Sequence, residues 1–189
     1  KKLGLLNSVT TELGPSAAPI VPKHWKKLNT MTIAFGHGLS VTPLQLATAT
    51  VPLVNGGLSV PPTFLPRTRE GAMQVATRVL KSGTSEAINK LMRMNVVKGT
   101  GKRADAEGYR VGGKTGTAEK VVNGQYSKNH RLTSFIGGFP MDDPKYVVLV
   151  MLDEPKPVKG TYGYATSGWN AVPTAGKVIS RIAPLLGVQ

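Results

Sequence analysis

The stretch RVGGKTGTAEK, Arg110 to Lys120, sets Gly112, Gly113 and Gly116 and the threonines Thr115 and Thr117 around Lys114 in a run that otherwise reads as a β-strand. Glycine weakens a strand through backbone entropy and lost packing, so it marks a bulge or a place where another backbone comes close. The flanking sequence decides the kind of sheet. YRVGGKTGTAEKVV runs into Asn123-Gly124, a hairpin turn signal, and QYSKNHRLTSFIGGFP returns. MDDP then turns the chain into KYVVLVML, so three consecutive antiparallel strands are expected. A closing helix with Ala175, Val178, Ile179, Ile182 and Leu186 on one face, ended by Gly187, would pack on them. An antiparallel sheet flanked by helices defines an α+β fold.

The upstream sequence is turn-rich and then helical. Pro15, Pro19 and Pro22 punctuate short apolar pieces in residues 1 to 30, and FGHGLSVTP leads into a helix. Thr42 is a natural N-cap and Pro43 suits the first helical position. That helix runs through LQLATAT and stops at the NGG of Asn55 to Gly57. Pro52 removes an N–H and crowds the carbonyl of Thr48, which predicts a kink or an early end. A second helix is expected from near Thr84, with Glu86 in its first turn and Ile88, Leu91, Met92 and Val96 on one buried face. The sequence shows no internal repeat and no low-complexity tract.

Composition bounds the remaining possibilities. With 189 residues, 40% of them hydrophobic, the chain can bury a sizeable core, and residues 1–189 read as a single domain. It has no cysteine, so disulfides, thiolate metal sites and a cysteine nucleophile are excluded. YVVLVML, Tyr146 to Leu152, is far shorter than the roughly 20 residues of a membrane helix. KKLGLLNSV at the start carries no signal core, so a targeting segment would lie outside this sequence. The net charge of +14 and pI near 10.2 attract polyanions. The cations form no run of five, and no aromatic-rich strand of the RNA-recognition kind accompanies them, so no nucleic-acid partner is expected. The charge leaves open whether anionic lipid headgroups or other polyanions are the partners. His24, His37 and His130 lack metal-ligand spacing with carboxylates, so neither a metal nor a cofactor is implied. Asp142-Asp143 read as turn residues and Asp153-Glu154 as the end of a strand. Tyr162, Tyr164 and Trp169, among glycines and a serine, read as a loop that overhangs a cleft.

Lys114-Thr115-Gly116 spells the K-T-G element of serine β-lactamases and penicillin-binding proteins. Taken with VVKGTGKRA upstream, the second threonine after the glycine, SFIGGFP and VVLVMLDEP on the following strands, and VTPLQLA with NGG earlier, the chain resembles the C-terminal half of a class B penicillin-binding transpeptidase domain. The likeness runs from about Leu3 to the terminal helix and is strongest to the division-specific enzymes of the penicillin-binding protein 3 type.

That resemblance implies the fold of the serine β-lactamase and transpeptidase group, and a chemistry. A serine attacks the carbonyl of a D-alanyl-D-alanine stem peptide, forms an acyl-enzyme and yields it to the amine of a neighbouring stem; β-lactams mimic the peptide. The K-T-G strand lines one wall of the cleft and the substrate lies along it as an added strand, with Gly112, Gly113 and Gly116 allowing close approach. Lys114, Thr115, Gly116 and Thr117 are the implied catalytic residues; Gly113, Thr115, Thr117 and Ala118 are the implied substrate-binding ones. Lys114 would supply charge for the terminal carboxylate and take part in proton traffic with a serine of another motif, Thr115 and Thr117 would donate hydroxyl hydrogen bonds, and the backbone N–H of Thr117 would be an oxyanion donor. The implied partners are peptidoglycan stem peptides, β-lactam antibiotics, divisome membrane proteins and the missing N-terminal half of the domain. The implied location is the bacterial inner membrane with the domain on the periplasmic side, its anchor outside this chain.

The sequence also departs from the family's pattern. The nucleophile motif S-x-x-K is absent, and the one S-x-N, Ser127-Lys128-Asn129, follows K-T-G instead of preceding it and reads as hairpin loop. The chain therefore reads as a portion carrying the K-T-G wall without the nucleophile, either a fragment or half of a split protein, and as inactive alone with uncovered apolar surface. A noncatalytic module that senses peptidoglycan or β-lactams on the same fold is the rival reading, and an S-x-x-K in a longer reading frame separates the two. Incubated alone with a fluorescent penicillin, the 189-residue chain should form no covalent adduct; a stoichiometric acyl adduct would show that a residue within it acts as nucleophile.

Overall fold

The computed structural model describes residues 1–188. They group into two compact units, Lys1–Glu86 and the residues from Ala87 onward.

The first unit opens with a short hairpin, β1 (Thr10–Thr11) and β2 (Gly14–Pro15), and helix α1 (Lys27–Ala34), none of whose residues is buried. Helix α2 (Pro43–Val54) starts as its sequence dictates: Thr42 Oγ1 accepts the Gln45 N–H at 3.2 Å while Gln45 Oε1 accepts the Thr42 N–H at 3.1 Å, a reciprocal cap. It does not end at Pro52 but continues to Val54. Pro52 is buried with Ala49 and Val54 and stands within one turn of the end, where few helical bonds remain to be lost, so packing outweighs the missing donor. Asn55 then closes the helix, its side chain pairing both backbone groups of Leu58, and Gly56 and Gly57 take φ of +84° and +96°. Strand β3 (Leu58–Ser59), helix α3 (Arg69–Gln74) and strand β4 (Thr77–Arg78) follow, β3 and β4 pairing antiparallel. The unit boundary falls within helix α4 (Ser82–Lys98), whose Ser85 Oγ donates to the Leu53 carbonyl at 2.8 Å and accepts the Gly56 N–H at 3.0 Å.

On α4 the buried stripe runs through Ser85, Met92 and Val96. Ile88 is half-buried, and Leu91, expected on that face, is 63% exposed, because one residue before Met92 is a rotation of about 100°. Met94 and Val97 are exposed as well.

The second unit is the expected three-stranded antiparallel sheet, in the order β5 (Gly112–Val122), β6 (Gln125–Phe139), β7 (Tyr146–Asp153). Asn123 and Gly124, with φ of +52° and +78°, make the two-residue turn. Gly112 pairs with Gly138, Thr115 with Phe135 and Thr117 with Thr133. The register then shifts: Glu119 faces Arg131 but Lys120 faces Ser127. Ser127-Lys128-Asn129 thus lies at an irregularity inside β6, not in a loop, since the turn consumes only two residues. Lys120 closes this end, donating to Asp153 at 3.0 Å and Glu154 at 2.8 Å. These hydrogen bonds, that of Glu154 first, raise the Lys120 pKa, and Lys120 in turn lowers that of Glu154.

Helix α5 (Ala171–Ile182) covers the sheet with Ala171, Val172, Ala175 and Ile179, joined in the core by Val96, Val111, Phe135 and Phe139. It stops before Pro184, so Leu186 leaves the expected face and is 40% exposed, while Val188 returns to the core.

The glycines of the opening stretch fit this core. A Cβ on Gly113 would overlap the Phe135 ring and lie 2.6 Å from the Ile136 carbonyl oxygen; one on Gly112 would lie 2.5 Å from Met141 Cγ. The close approach at both is therefore made by the protein itself. At Gly116 a Cβ would meet only Ser134 Oγ, at 2.5 Å, a side chain free to rotate. Gly113→Ala should lower stability by about 1–3 kcal/mol, the usual cost of overpacking, and Gly116→Ala by clearly less. Thermal unfolding checks this; equal losses would contradict it.

Candidate active site

Strand β5 is a sheet edge, and its first residues show which backbone groups face outward. The Val111 carbonyl accepts from the Arg93 guanidinium at 2.7 Å and the Gly113 carbonyl from Asn95 Nδ2 at 2.8 Å, both from α4 and neither from β6. In an antiparallel ladder the outward-facing residues alternate, so Thr115 and Thr117 also turn their N–H and C=O groups to the open edge. Lys114 Nζ agrees with this parity, donating to the Thr115 carbonyl at 2.7 Å. Past Gly113 no helical residue among those described bonds this edge; the Thr115 carbonyl is taken by Lys114, and the N–H groups of Thr115 and Thr117 and the Thr117 carbonyl face outward.

Side chains alternate too. Gly113, Thr115 and Thr117 share the face covered by α5; Lys114, Gly116 and Ala118 share the other. Asn95 Oδ1 accepts from the Thr100 hydroxyl at 3.2 Å, and Thr100 and Thr115 share a hydrogen bond of 2.8 Å. Thr100 has one hydroxyl hydrogen and gives it to Asn95, so Thr115 is the donor to Thr100. Thr115 therefore keeps only lone pairs for a ligand. Thr117 differs: its Oγ1 accepts the Ser167 N–H at 3.1 Å, which leaves its own hydrogen free.

Ser167 belongs to a 3-10 turn, Ser167–Trp169, fixed against the sheet. Ser167 Oγ donates to the Ser134 carbonyl at 2.6 Å, and Asn170 caps α5, its Oδ1 accepting from Ala171 N at 2.6 Å and from the Thr133 hydroxyl at 2.7 Å. Between this turn, Thr100 to Arg103 and the two β5 threonines lies a recess of about 330 Å³. Trp169 forms part of its wall, stacked with Tyr164 at 6.0 Å and met edge-on by Tyr162 at 5.7 Å. The aromatic loop thus stands beside the threonines.

The structure brings Thr115 and Thr117 together on the recess. It sets Lys114, exposed, on the opposite face with Gly116 and Ala118, and buries Gly113. His130 pairs with Ser127 at 2.8 Å, and no group of three possible metal ligands occurs among the described residues. Asp142 pairs with Arg110 at 2.7 Å, and Asp153 and Glu154 pair with Lys120, as turn and strand-end residues do. The sequence reading assigned no role to Asn95, Thr100, Arg103, Ser167 or Asn170. Asn170, directly before an apolar helical run, carried a recognisable cap signal; the others act across distances in the chain that no local pattern reports.

The described residues thus form an α+β sheet whose edge strand sets two threonine hydroxyls and a lysine beside a donor-rich recess. Residues 1–178 match the family model described as penicillin binding protein transpeptidase domain, and the chain belongs to that family. It is 42% identical over 196 residues to a probable peptidoglycan D,D-transpeptidase FtsI of Caulobacter vibrioides, covering 99% of this chain and 33% of that protein. It is 41% identical over 167 residues to stage V sporulation protein D of Bacillus subtilis, covering 84% of this chain and 25% of the relative. Among solved structures, the apo transpeptidase domain of Burkholderia pseudomallei penicillin-binding protein 3 superposes with a TM-score of 0.85 at 31% identity, covering 99% of this chain and 56% of that one. The chain thus spans a quarter to a third of the length of these relatives and about half of the solved domain.

Proposed function

We propose that this chain supplies the K-T-G wall of a peptidoglycan D,D-transpeptidase that works through an acyl-serine intermediate, the nucleophile coming from residues outside this sequence, and that its two units are the C-terminal portion of one transpeptidase domain. The observation that carries the reading is the free edge of β5 at Thr115 to Thr117, with Lys114 and the threonines around it. The names of the FtsI and penicillin-binding protein 3 relatives support it.

On this reading an extended stem peptide, or a β-lactam in its place, adds to β5 as an edge strand. Gly113, whose carbonyl Asn95 occupies, marks where the usable edge begins, and Ala118 lies near its far end. The Thr117 N–H faces the carbonyl under attack and stabilises the oxyanion in the transition state; Gly116 keeps the strand thin there. Thr117 donates its free hydroxyl hydrogen to the ligand's carboxylate, and Thr115, committed to Thr100, holds the wall in place. Lys114, on the other face, is positioned for proton exchange with a serine from the absent part. The enzyme would act at the periplasmic side of the inner membrane among division proteins, held there by a segment outside this sequence. No helix among the described residues is long and apolar enough to cross a membrane.

Two substitutions at one position test this in the complete enzyme. Thr117→Ala keeps the N–H and loses a hydroxyl. Thr117→Pro also deletes the N–H, and an edge position whose N–H faces outward tolerates proline. Loss of one oxyanion donor costs about 10² to 10³ in rate, so the proline variant should be acylated by penicillin far more slowly than the alanine variant when both melt alike. Equal second-order rate constants in folded protein would remove Thr117 from the oxyanion hole.

A further inference from the structure

The recess beside Thr115 and Thr117 is more positively charged than the K-T-G strand alone would make it. Lys102 and Arg103 both line it. The Arg103 guanidinium carbon lies 3.8 Å from the centroid of the Trp169 ring, and its Nη1 donates to the Gly168 carbonyl at 3.2 Å. Neither partner carries a charge, and among the described residues no carboxylate pairs with Lys102 or Arg103. Arg93 in the same unit shows the contrast: Asp105 takes both arms of its fork, at 2.6 and 3.2 Å. A guanidinium seated on an aromatic face keeps its full charge and most of its donors while losing conformational freedom.

The remaining groups agree in sign. Thr117 has a free hydroxyl hydrogen, Arg103 has unused N–H groups and Lys102 has an ammonium, so the hollow is rich in donors. A planar fork beside a hydroxyl suits a carboxylate. Lys114, the cation that the K-T-G motif would nominate for that role, is on the opposite face of the strand.

We propose that Arg103, held on Trp169, is the specificity-determining cation of this site: it binds the free carboxylate of the peptide or β-lactam from across the recess while Thr117 binds it from the strand. The proposal rests on the transpeptidase reading and adds to it only the residue that reads the ligand's carboxylate charge, Arg103 in place of Lys114.

The test uses the complete enzyme and two ligands, a penicillin with its free carboxylate and the neutral methyl ester of the same penicillin. The wild type should be acylated faster by the acid. Arg103→Met should lower the acid-to-ester ratio of second-order rate constants about tenfold or more, the fold-change of a lost charge-assisted hydrogen bond, and Arg103→Lys should fall between. Raising the salt concentration should lower the same ratio in the wild type and much less in Arg103→Met. If Arg103→Met melts early, Arg103→Gln, which can still donate to Gly168, reads the same ratio. A ratio that survives loss of the guanidinium overturns the proposal and leaves the transpeptidase reading standing. Failure of the wild type to be acylated by either ligand overturns that reading, and the proposal with it.

Discussion

The sheet of the second unit depends on how closely β5 and β6 come together around Phe135. That ring is fully buried, and it occupies the space in which a side chain on Gly113 would stand; a side chain on Gly137 would overlap the Gly112 carbonyl oxygen. Gly113 and Gly137 therefore let two backbones and one large ring share a volume that a Cβ at either position would overfill. Dense packing of this kind resists adjustment, because a core at crystal-like density has nowhere to move a displaced atom. Phe135 shares one core cluster with Val172, Ala175 and Ile179 of the helix that closes the sheet, so β5 is backed by packed core.

A rigid strand is useful only if its outer edge is left open at the right place. Helix α4 occupies the first part of that edge through Arg93 and Asn95, then ends, and the turn at Thr100 to Arg103 moves away to form the recess. Asn95 is central to this switch. It satisfies the Gly113 carbonyl with its amide and the Thr100 hydroxyl with its oxygen, and through Thr100 it fixes the direction of the Thr115 hydrogen bond. A single side chain thus separates the part of β5 bonded to α4 from the open edge beyond it, and decides which threonine can donate. Ser167 does the same from the other side by orienting Thr117. Preorganisation of this kind carries the energetics of oxyanion stabilisation, since groups already aimed need not reorganise when charge develops.

Much of this was legible in the sequence where the signal is local. Asn123-Gly124 fixed the hairpin, Thr42-Pro43 the start of α2, and the apolar run after the MDDP turn the third strand, because each reports a backbone preference within a few residues. Where tertiary packing competes with local preference, the reading diverged: α2 passes through Pro52, and the α4 stripe excludes Leu91. The role of the glycines was legible only in part. A strand stripped of side chains announces close approach, but not by what, and at Gly112 and Gly113 the answer is the protein's own core. The K-T-G run marked the proposed site, whereas Arg103 and Ser167 lie 11 and 53 residues from Lys114 and reach it only through the fold.

The central claim is that the outward N–H of Thr117 on the open edge of β5 faces the carbonyl under attack. A crystal structure of the complete enzyme acylated by a β-lactam tests it most directly. The account predicts the ester carbonyl oxygen about 2.7–3.1 Å from Thr117 N, with the β-lactam amide lying along β5 as an added strand. An acyl-enzyme whose carbonyl oxygen points away from β5, or a Thr117 N–H bonded into β6, would contradict it.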